Sequence, residues 1–147
     1  MLISTRGRYA LRALVYLARN GNAGFVPVPE LAEEQGISLK YLERIMALLT
    51  RHGLVDSASG RGGGYRLARD PAECRVGEVL RLTEGTLAPV ACLEANAGPC
   101  SRSGACPTVE MWRRFHALTN SFFDNITIAA LASGPDIFES ASQRLPH

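Results

Sequence analysis

The sequence of 147 residues predicts a mostly α-helical fold with one small β-hairpin and a long helix towards the C-terminus. Three observations lead to this class. Apolar residues recur at helical spacing in residues 5–19 and again in residues 38–52. A glycine-rich loop separates two short extended stretches within residues 54–67. An aromatic stripe with helical spacing runs on from residue 107. A chain of this length forms about one domain and buries a core without disulfides.

The first three predicted helices follow from cap and stop signals. Residues 5–19 form the first helix. A short second helix has Pro29 in its first turn and stops at Gly36, and Ser38 then caps a third helix that runs to about His52. Its predicted core stripe is Leu42, Ile45, Leu48 and Leu49. Two helices, a turn of about three residues containing glycine, and a longer helix form the helix-turn-helix pattern.

The stretch after the third helix predicts a wing. Residues 60–64 are glycine-rich and lie between two short extended segments, which indicates a hairpin, and Arg61 and Arg66 flank the glycines. A nucleotide-binding loop is disfavoured because no Gly-Lys-Ser/Thr and no Gly-x-Gly-x-x-Gly between strand and helix is present. A plain tight hairpin would explain the glycines but not the arginines.

The second half of the chain is organised differently. A short helix is predicted over residues 76–84, and residues 85–107 lack periodicity. A long amphipathic helix is expected to start at Pro107, and the tail after Gly134 is expected to be loosely ordered. The stripe of the long helix consists of Val109, Trp112, Phe115, Leu118, Phe122 and Ile126. The helix carries more aromatic surface than it needs inside a small domain, namely Trp112, Phe115, Phe122 and Phe123, so part of this surface is expected between two subunits. Burial within one chain is the alternative.

Composition and motifs exclude several classes. Apolar residues make up 46% and charged residues 20%, which is typical of a globular chain, and no apolar run approaches a membrane span. Four arginines interrupt the N-terminal apolar stretch, unlike an export signal, so we expect a cytoplasmic chain with reduced cysteines. No Gly-x-Ser-x-Gly or His-Glu-x-x-His is present, and His52 is expected to cap a helix. We therefore expect neither an enzyme nor a small-molecule substrate.

The charge distribution points to nucleic acid. Residues 1–69 carry a balance of +5 and residues 70–147 a balance of −3, so the front half suits an anionic partner. On the third helix, Lys40 and Arg44 can reach guanine edges or phosphates, and Glu43 can accept from a cytosine amino group. An ordinary solvated helix face is the alternative. The candidate DNA-contacting residues are Ser38, Lys40, Tyr41, Glu43, Arg44 and Arg61.

Three cysteines form the second candidate site. Cys92, Cys100 and Cys106 have the spacing C-x7-C-x5-C, which fits a zinc site with paired C-x2-C motifs poorly. Soft thiolates hold iron–sulfur clusters well at irregular spacing; a thiol redox sensor, a zinc site and unligated cysteines remain alternatives. Glu110 is the best local candidate for a fourth ligand, against the alternative of a solvated acid near a helix N-terminus. Cys74 lies apart and is expected to be buried.

Several motifs together resemble a known family. From about Met1 to Leu131 the chain is similar to IscR- and NsrR-type regulators, bacterial winged-helix transcription factors of the Rrf-two family. The runs that carry the resemblance are Ser4-Thr5-Arg6-Gly7-Arg8-Tyr9-Ala10, Gln35-Gly36-Ile37-Ser38-Leu39-Lys40-Tyr41-Leu42-Glu43, Gly53-Leu54-Val55, Gly62-Gly63-Gly64-Tyr65, Val76-Gly77-Glu78-Val79 and Asn125-Ile126-Thr127.

The resemblance implies a homodimer that binds pseudo-palindromic promoter DNA, with the long C-terminal helix pairing to its counterpart. The three cysteines match the family's cysteine motif one for one, which implies a [2Fe–2S] or [4Fe–4S] cluster that senses iron, oxygen, redox state or nitric oxide. Two positions depart from the family's ligands: Val109 replaces a histidine, and Arg8 replaces an acid. In the wing, Ser59 replaces the family's usual arginine, and Arg61 is expected to take over its role.

The expected function is therefore a cytoplasmic DNA-binding repressor with an iron–sulfur cluster. The alternative is a winged-helix regulator controlled by a protein partner or by thiol oxidation without a cluster. The expected organisation has four parts: a winged helix-turn-helix DNA-binding domain over residues 1–84, a cysteine-bearing cluster loop over 85–107, a dimerisation helix with a short return helix over 108–133, and a tail over 134–147.

Overall fold

The computed structural model describes residues 1–21 and 24–138 of the chain. It contains six α-helices and one two-stranded hairpin within these residues, as the sequence predicts. Short 3-10 turns cover Ala91–Leu93 and Pro135–Phe138. The principal elements are α1 (Thr5–Asn20), α2 (Val28–Gln35), α3 (Leu39–Arg51), β1 (Val55–Ala58), β2 (Gly64–Leu67), α4 (Val76–Glu84), α5 (Val109–Asp124) and α6 (Ile128–Ser133).

Local signals set the boundaries of the first three helices. The Ser4 hydroxyl accepts from the Gly7 N–H at 3.2 Å and caps α1. Gly36 ends α2 in the left-handed region with φ 63°, which glycine adopts at little cost. Ser38 accepts from the Tyr41 N–H at 3.2 Å and caps α3. The turn between α2 and α3 is thus Gly36-Ile37-Ser38, which confirms the helix-turn-helix prediction.

The hairpin places β1 and β2 antiparallel, with Val55 opposite Leu67 and Ala58 opposite Gly64. Val26 extends this small sheet, because its N–H and carbonyl both pair with Tyr65 at 2.8 and 2.9 Å. A Cβ on Gly63 would lie 2.3 Å from the Ala58 oxygen, and one on Gly64 would lie 1.9 Å from the Val26 oxygen. The close approach of the backbone within the hairpin and against Val26 therefore requires these two glycines, independently of any partner that the wing binds.

One apolar core unites α1 to α4, the hairpin and α6. Leu14, Leu31, Leu42, Leu49 and Ile128 are all fully buried. The predicted stripe of α3 is wrong at one position. Leu48 is only half-buried, whereas Met46 is fully buried with Leu42, Ile45 and Leu49. Positions 42, 45, 46 and 49 have the i, i+3, i+4, i+7 spacing of a single helical face, and position 48 lies at its edge.

Two expectations about the second half need correction. The long helix begins at Val109 and not at Pro107, because its first helical bond runs from the Trp112 N–H to the Thr108 carbonyl at 3.2 Å. The segment after Gly134 starts with the 3-10 turn, and the rest of the predicted tail, 139–147, lies outside the described residues. Among the described residues, no helix combines the length and hydropathy that a membrane span needs.

Candidate nucleic-acid interface and cysteine loop

The exposed side of α3 carries the charged residues that the sequence singled out. Burial of Leu42, Ile45 and Leu49 fixes the rotation of the helix, so Lys40, Glu43 and Arg44 all project into solvent. These three positions lie at helical spacing on one face. The structure therefore brings together two cations and one carboxylate at the start of the second helix of the helix-turn-helix, where base-contacting side chains are found in this motif.

Tyr41 and Ser38 both have structural roles. The sequence predicted the helix cap at Ser38 but not the packing of Tyr41. The Tyr41 ring is half-buried and packs edge-on against Tyr9 of α1, with ring centroids 6.1 Å apart. The Arg12 guanidinium lies over the other aromatic partner, 5.1 Å from the Tyr9 ring centroid. The Ser38 oxygen accepts the Tyr41 N–H as the helix cap. Tyr41 thus holds α3 against α1 and Ser38 fixes the start of α3, and their DNA contacts stay predictions.

Leu39 belongs to the same surface although the sequence reasoning left it out of the site. It is the first residue of α3 and has 48% of its surface exposed, beside Lys40. An exposed leucine at this position can contact the methyl group of thymine, which is an apolar feature of the major groove. The available signal was its position outside the core stripe of α3.

The two wing arginines are not equivalent. Arg66 forms an ion pair with Asp56 across the hairpin at 3.4 Å, and its guanidinium lies 4.6 Å from the centroid of the Phe25 ring. Arg61 is exposed at the tip and has no ion-pair partner within the described part of the chain. Arg66 thus stabilises the wing, and Arg61 is the wing cation available to phosphate.

The long helix α5 exposes a broad apolar face. No residue of α5 is fully buried, although Phe123 packs against the core on one side of the helix. Phe115, Leu118 and Phe122 are 44%, 68% and 54% exposed, and Met111 extends the same row by one turn. Contiguous apolar surface of this kind marks an interaction site in a globular protein.

The cysteine loop, residues 85–108, joins α4 to α5. Within the described residues, its backbone hydrogen bonds beyond Leu87 run between near neighbours, for example from the Leu93 N–H to the Val90 carbonyl and from the Ser103 N–H to the Cys100 carbonyl. Cys92 and Cys100 are exposed. Within residues 1–21 and 24–138, no three His, Cys, Asp or Glu side chains lie close enough to hold one metal ion. The loop thus supplies donors without gathering them.

The third cysteine of the loop has a distinct environment. The Thr108 hydroxyl lies 3.5 Å from Cys106 Sγ and lowers the pKa of this thiol, and the backbone N–H groups of Thr108 and Val109 lower it further. Cys74, by contrast, is 2% exposed, and burial raises the pKa of its thiol. Because thiolates are the form that binds metals, Cys106 suits ligation and Cys74 suits packing, as the sequence predicted for the latter.

Glu110 occupies the first turn of α5 but is already paired. Its Oε1 accepts from Arg114 Nε at 3.1 Å, one turn along the exposed helix surface. His52 also takes the structural role expected of it, with Nδ1 3.0 Å from the Leu48 carbonyl oxygen. A role of Glu110 as fourth ligand stays a prediction; the ion pair with Arg114 engages Oε1.

Comparisons with known proteins agree with this arrangement. A family model named Rrf2, described as an iron-dependent transcriptional regulator, matches residues 3–134. The chain is 34% identical over 147 residues to the HTH-type transcriptional regulator IscR of Escherichia coli, covering 100% of this chain and 90% of IscR.

Solved structures share the fold. CymR, the global cysteine regulator of B. subtilis, superimposes with a TM-score of 0.74 at 33% identity, covering 90% of this chain and 97% of CymR. IscR of T. potens superimposes with a TM-score of 0.70 at 28% identity, covering 100% of this chain and 93% of that protein.

Proposed function

The chain belongs to the Rrf2 (Rrf-two) family of transcriptional regulators, and from this premise we propose that it is a homodimeric repressor that binds promoter DNA and senses through an iron–sulfur cluster. Its relatives are transcriptional regulators and not enzymes. The observation that carries the proposal is the surface of α3, where Lys40, Glu43 and Arg44 are exposed together while the opposite face is anchored in the core. Promoter DNA as the binding partner implies that the protein acts in the cytoplasm.

DNA recognition divides between α3 and the wing. Lys40 and Arg44 supply donors for guanine edges or phosphates, and the Glu43 carboxylate supplies an acceptor for a cytosine amino group. Arg61, which no ion pair occupies in the described structure, supplies a phosphate contact at the wing. Tyr41 and Ser38 support this surface by fixing the start of α3.

The proposed homodimer uses the apolar face of α5. Phe115, Leu118 and Phe122 are large side chains left open to solvent in a single chain. A second copy that presents the same face would cover them, because a two-fold contact pairs like surfaces. Two linked winged helices would then read two half-sites of a palindromic operator.

The proposed cluster is held by Cys92, Cys100 and Cys106. Three thiols within one loop fit iron in chemistry, and Cys106 is already biased towards its thiolate. The loop must close to bring the three together, and its backbone hydrogen bonds beyond Leu87 join near neighbours, so they oppose that closure little. When bound, the cluster would supply a redox-active and chemically labile centre. Water, a small thiol or Glu110 would complete its coordination.

A second candidate mechanism uses the same cysteines as thiols. The separated thiols, of which Cys106 has a lowered pKa, also suit regulation by oxidation or by a protein partner. Iron and acid-labile sulfide in the anaerobically prepared protein distinguish the two mechanisms, because only the cluster requires both.

The DNA proposal is tested by fluorescence anisotropy. A duplex selected from a random library by the wild-type protein is compared with a random duplex of equal length over a series of salt concentrations. Arg61→Ala should weaken binding to both duplexes and reduce the log–log salt slope by about one, because one phosphate contact is lost. Glu43→Ala should change the selected sequence and leave the affinity for random duplex unaltered.

Arg113→Ala is the matched control. It removes an equally exposed arginine from α5, outside the proposed surface, and should leave the salt slope and the selected sequence unchanged. If Arg61→Ala and Glu43→Ala both bind the two duplexes as the wild type does, the recognition surface lies elsewhere.

A further inference from the structure

The motif Val76-Gly77-Glu78-Val79 lies where α4 meets the end of α5. Gly77 is buried, and a Cβ at this position would lie 2.0 Å from Asp124 Oδ1 and 3.0 Å from Arg81 Nη2. A Cβ is essentially never found as close as 2.0 Å to another atom. The Asp124 carboxylate therefore occupies its present position only because residue 77 has no side chain. The glycine is explained by the contact between two helices.

Arg81 completes the contact one turn further along α4. Its Nη1 donates to Asn120 Oδ1 at 2.8 Å, and its Nη2 donates to Asp124 Oδ1 at 2.5 Å. Asn120 is itself held, because its Nδ2 donates to the His116 carbonyl at 2.8 Å. A planar guanidinium that bonds two residues one turn apart restrains both the position and the rotation of α5. We call Gly77, Arg81, Asn120 and Asp124 the α4–α5 clamp.

Backbone contacts reinforce the clamp at the same end of α5. The Val76 N–H donates to the Ile126 carbonyl at 2.9 Å, and Arg75 forms an isolated bridge with Thr127. The motif Asn125-Ile126-Thr127 therefore supplies the backbone that meets the start of α4. Phe123 adds an apolar contact with the core. The C-terminal end of α5 is thus fixed to α4 by backbone, polar and apolar contacts.

The other end of α4 is tied to α1, and α1 is tied to α3. Glu84 accepts from the Ser4 hydroxyl at 2.7 Å and from the Ser4 N–H at 3.2 Å. A Cβ on Gly7 would lie 2.4 Å from Glu84 Oε1, so a side chain at residue 7 would displace this carboxylate oxygen. From α1, the ring of Tyr9 meets Tyr41 of α3. Contacts therefore run without interruption from α5 through α4 and α1 to the recognition surface.

We propose that the α4–α5 clamp sets the spacing of the two operator half-sites that the dimer accepts. This inference rests on the proposed homodimer. If the subunits meet through α5, the angle at which α4 lies on α5 determines where each copy of α3 points. A rigid angle fits one spacing, whereas a loosened angle accommodates neighbouring spacings. Adding one base pair moves a half-site by about 3.4 Å and rotates it by about 35° around the duplex axis.

The clamp can be broken without touching the DNA-facing residues or the apolar face of α5. The side chains of Arg81 and Asp124 are 41% and 43% exposed, so their ion pair contributes little to the free energy of folding. Gly77→Ala displaces the Asp124 carboxylate from its present position, although neither Arg81 nor Asp124 is substituted. Arg81→Met removes both donors and keeps the apolar stem. The two variants therefore open the same contact by independent routes.

The experiment measures affinity for a set of duplexes. The two half-sites selected by the wild-type protein are separated by the preferred spacer and by spacers one and two base pairs shorter or longer. Sedimentation establishes the dimer for each protein. The wild type should prefer one spacer by about tenfold or more over its neighbours, because a shifted half-site must be reached by twisting DNA. Gly77→Ala and Arg81→Met should reduce this preference to about threefold or less, with random-duplex affinity and dimerisation unchanged.

Two controls match the variants. Gly21→Ala adds a methyl group where no atom lies within 4 Å, and Arg113→Met removes an exposed arginine from α5 outside the clamp. Both should keep the wild-type preference. A wild type that is monomeric or indifferent to spacing would overturn the proposed homodimer and this inference with it. A selective wild type accompanied by equally selective Arg81→Met dimers would overturn the inference alone.

Discussion

The winged-helix region and the cysteine loop are built on opposite principles. Within residues 1–84, the packing of the helices and the small sheet is fixed by contacts between residues far apart in sequence, such as Ser4 with Glu84 and Val26 with Tyr65. In the loop, the backbone hydrogen bonds beyond Leu87 join residues three positions apart, and Cys92 and Cys100 are exposed. One region has a defined shape from its own contacts, and the other mainly supplies donors.

This difference separates the proposed recognition surface on α3 from the proposed sensing loop. Lys40, Glu43 and Arg44 hold their places because the core fixes the rotation of α3. Leu87 of the loop belongs to that core, whereas Cys92, Cys100 and Cys106 do not. Cys92, Cys100 and Cys106 share a loop but not a geometry. A ligand that gathers them adds order where the chain has little, between α4 and α5. The clamp lies between the same two helices that the loop joins.

The largest contrast should appear in thiol alkylation. In cluster-free protein with reduced cysteines, Cys92, Cys100 and Cys106 should react with iodoacetamide directly, whereas Cys74 should react only when the domain opens. Cys74 should be slower by a factor on the order of a thousand or more, because a domain with about 5 kcal/mol of stability rarely opens. Mass spectrometry of peptides during the time course measures each rate.

Denaturant provides the control for this measurement. All four cysteines should then react at similar rates, because burial is the cause of the protection of Cys74. Labelling of Cys74 alongside Cys100 in the folded protein would contradict the contrast between the two regions.

Truncations should affect the stability of the two regions unequally. Leu49→Ala should lower the free energy of unfolding by about 2–5 kcal/mol, because Leu49 is fully buried and a cavity would remain. Cys100→Ser, in an exposed position, should change it by less than about 0.5 kcal/mol in cluster-free protein. Urea unfolding followed by circular dichroism measures both. A Cys100→Ser effect as large as that of Leu49→Ala would mean that the loop packs as part of the core.

Much of the secondary structure of the winged-helix region was predictable from sequence, because the residues that begin and end its helices act locally. Ser38 and Gly36 define the turn before α3, and α4 occupies residues 76–84 as expected. The predicted start of α5 was two residues too early. Proline is compatible both with the first turn of a helix and with the residues just before it, so Pro107 does not fix the first helical residue. Local signals cannot decide which of two adjacent starts tertiary packing favours.

The site was predictable in composition but not in its contacts. Exposure of Lys40, Glu43 and Arg44 followed from periodicity, whereas the engagement of Arg66 by Asp56 and Phe25 depends on strand pairing and on a distant loop. The reason for Gly77 was also hidden, because its neighbour Asp124 is 47 positions later in the chain. Spacing of the three cysteines predicted donors, and it carries no information about how the loop closes.

The most direct test of the central claim is the iron, acid-labile sulfide and visible absorption of protein reconstituted with iron and sulfide under anaerobic conditions. The wild type and Cys74→Ser should bind both elements and absorb in the visible region, because Cys74 is buried away from the loop. The triple variant Cys92→Ser, Cys100→Ser, Cys106→Ser should remain folded and colourless. A folded triple variant with the wild-type content and spectrum, or a wild type that binds neither iron nor sulfide, would contradict the assignment of the loop as a cluster site.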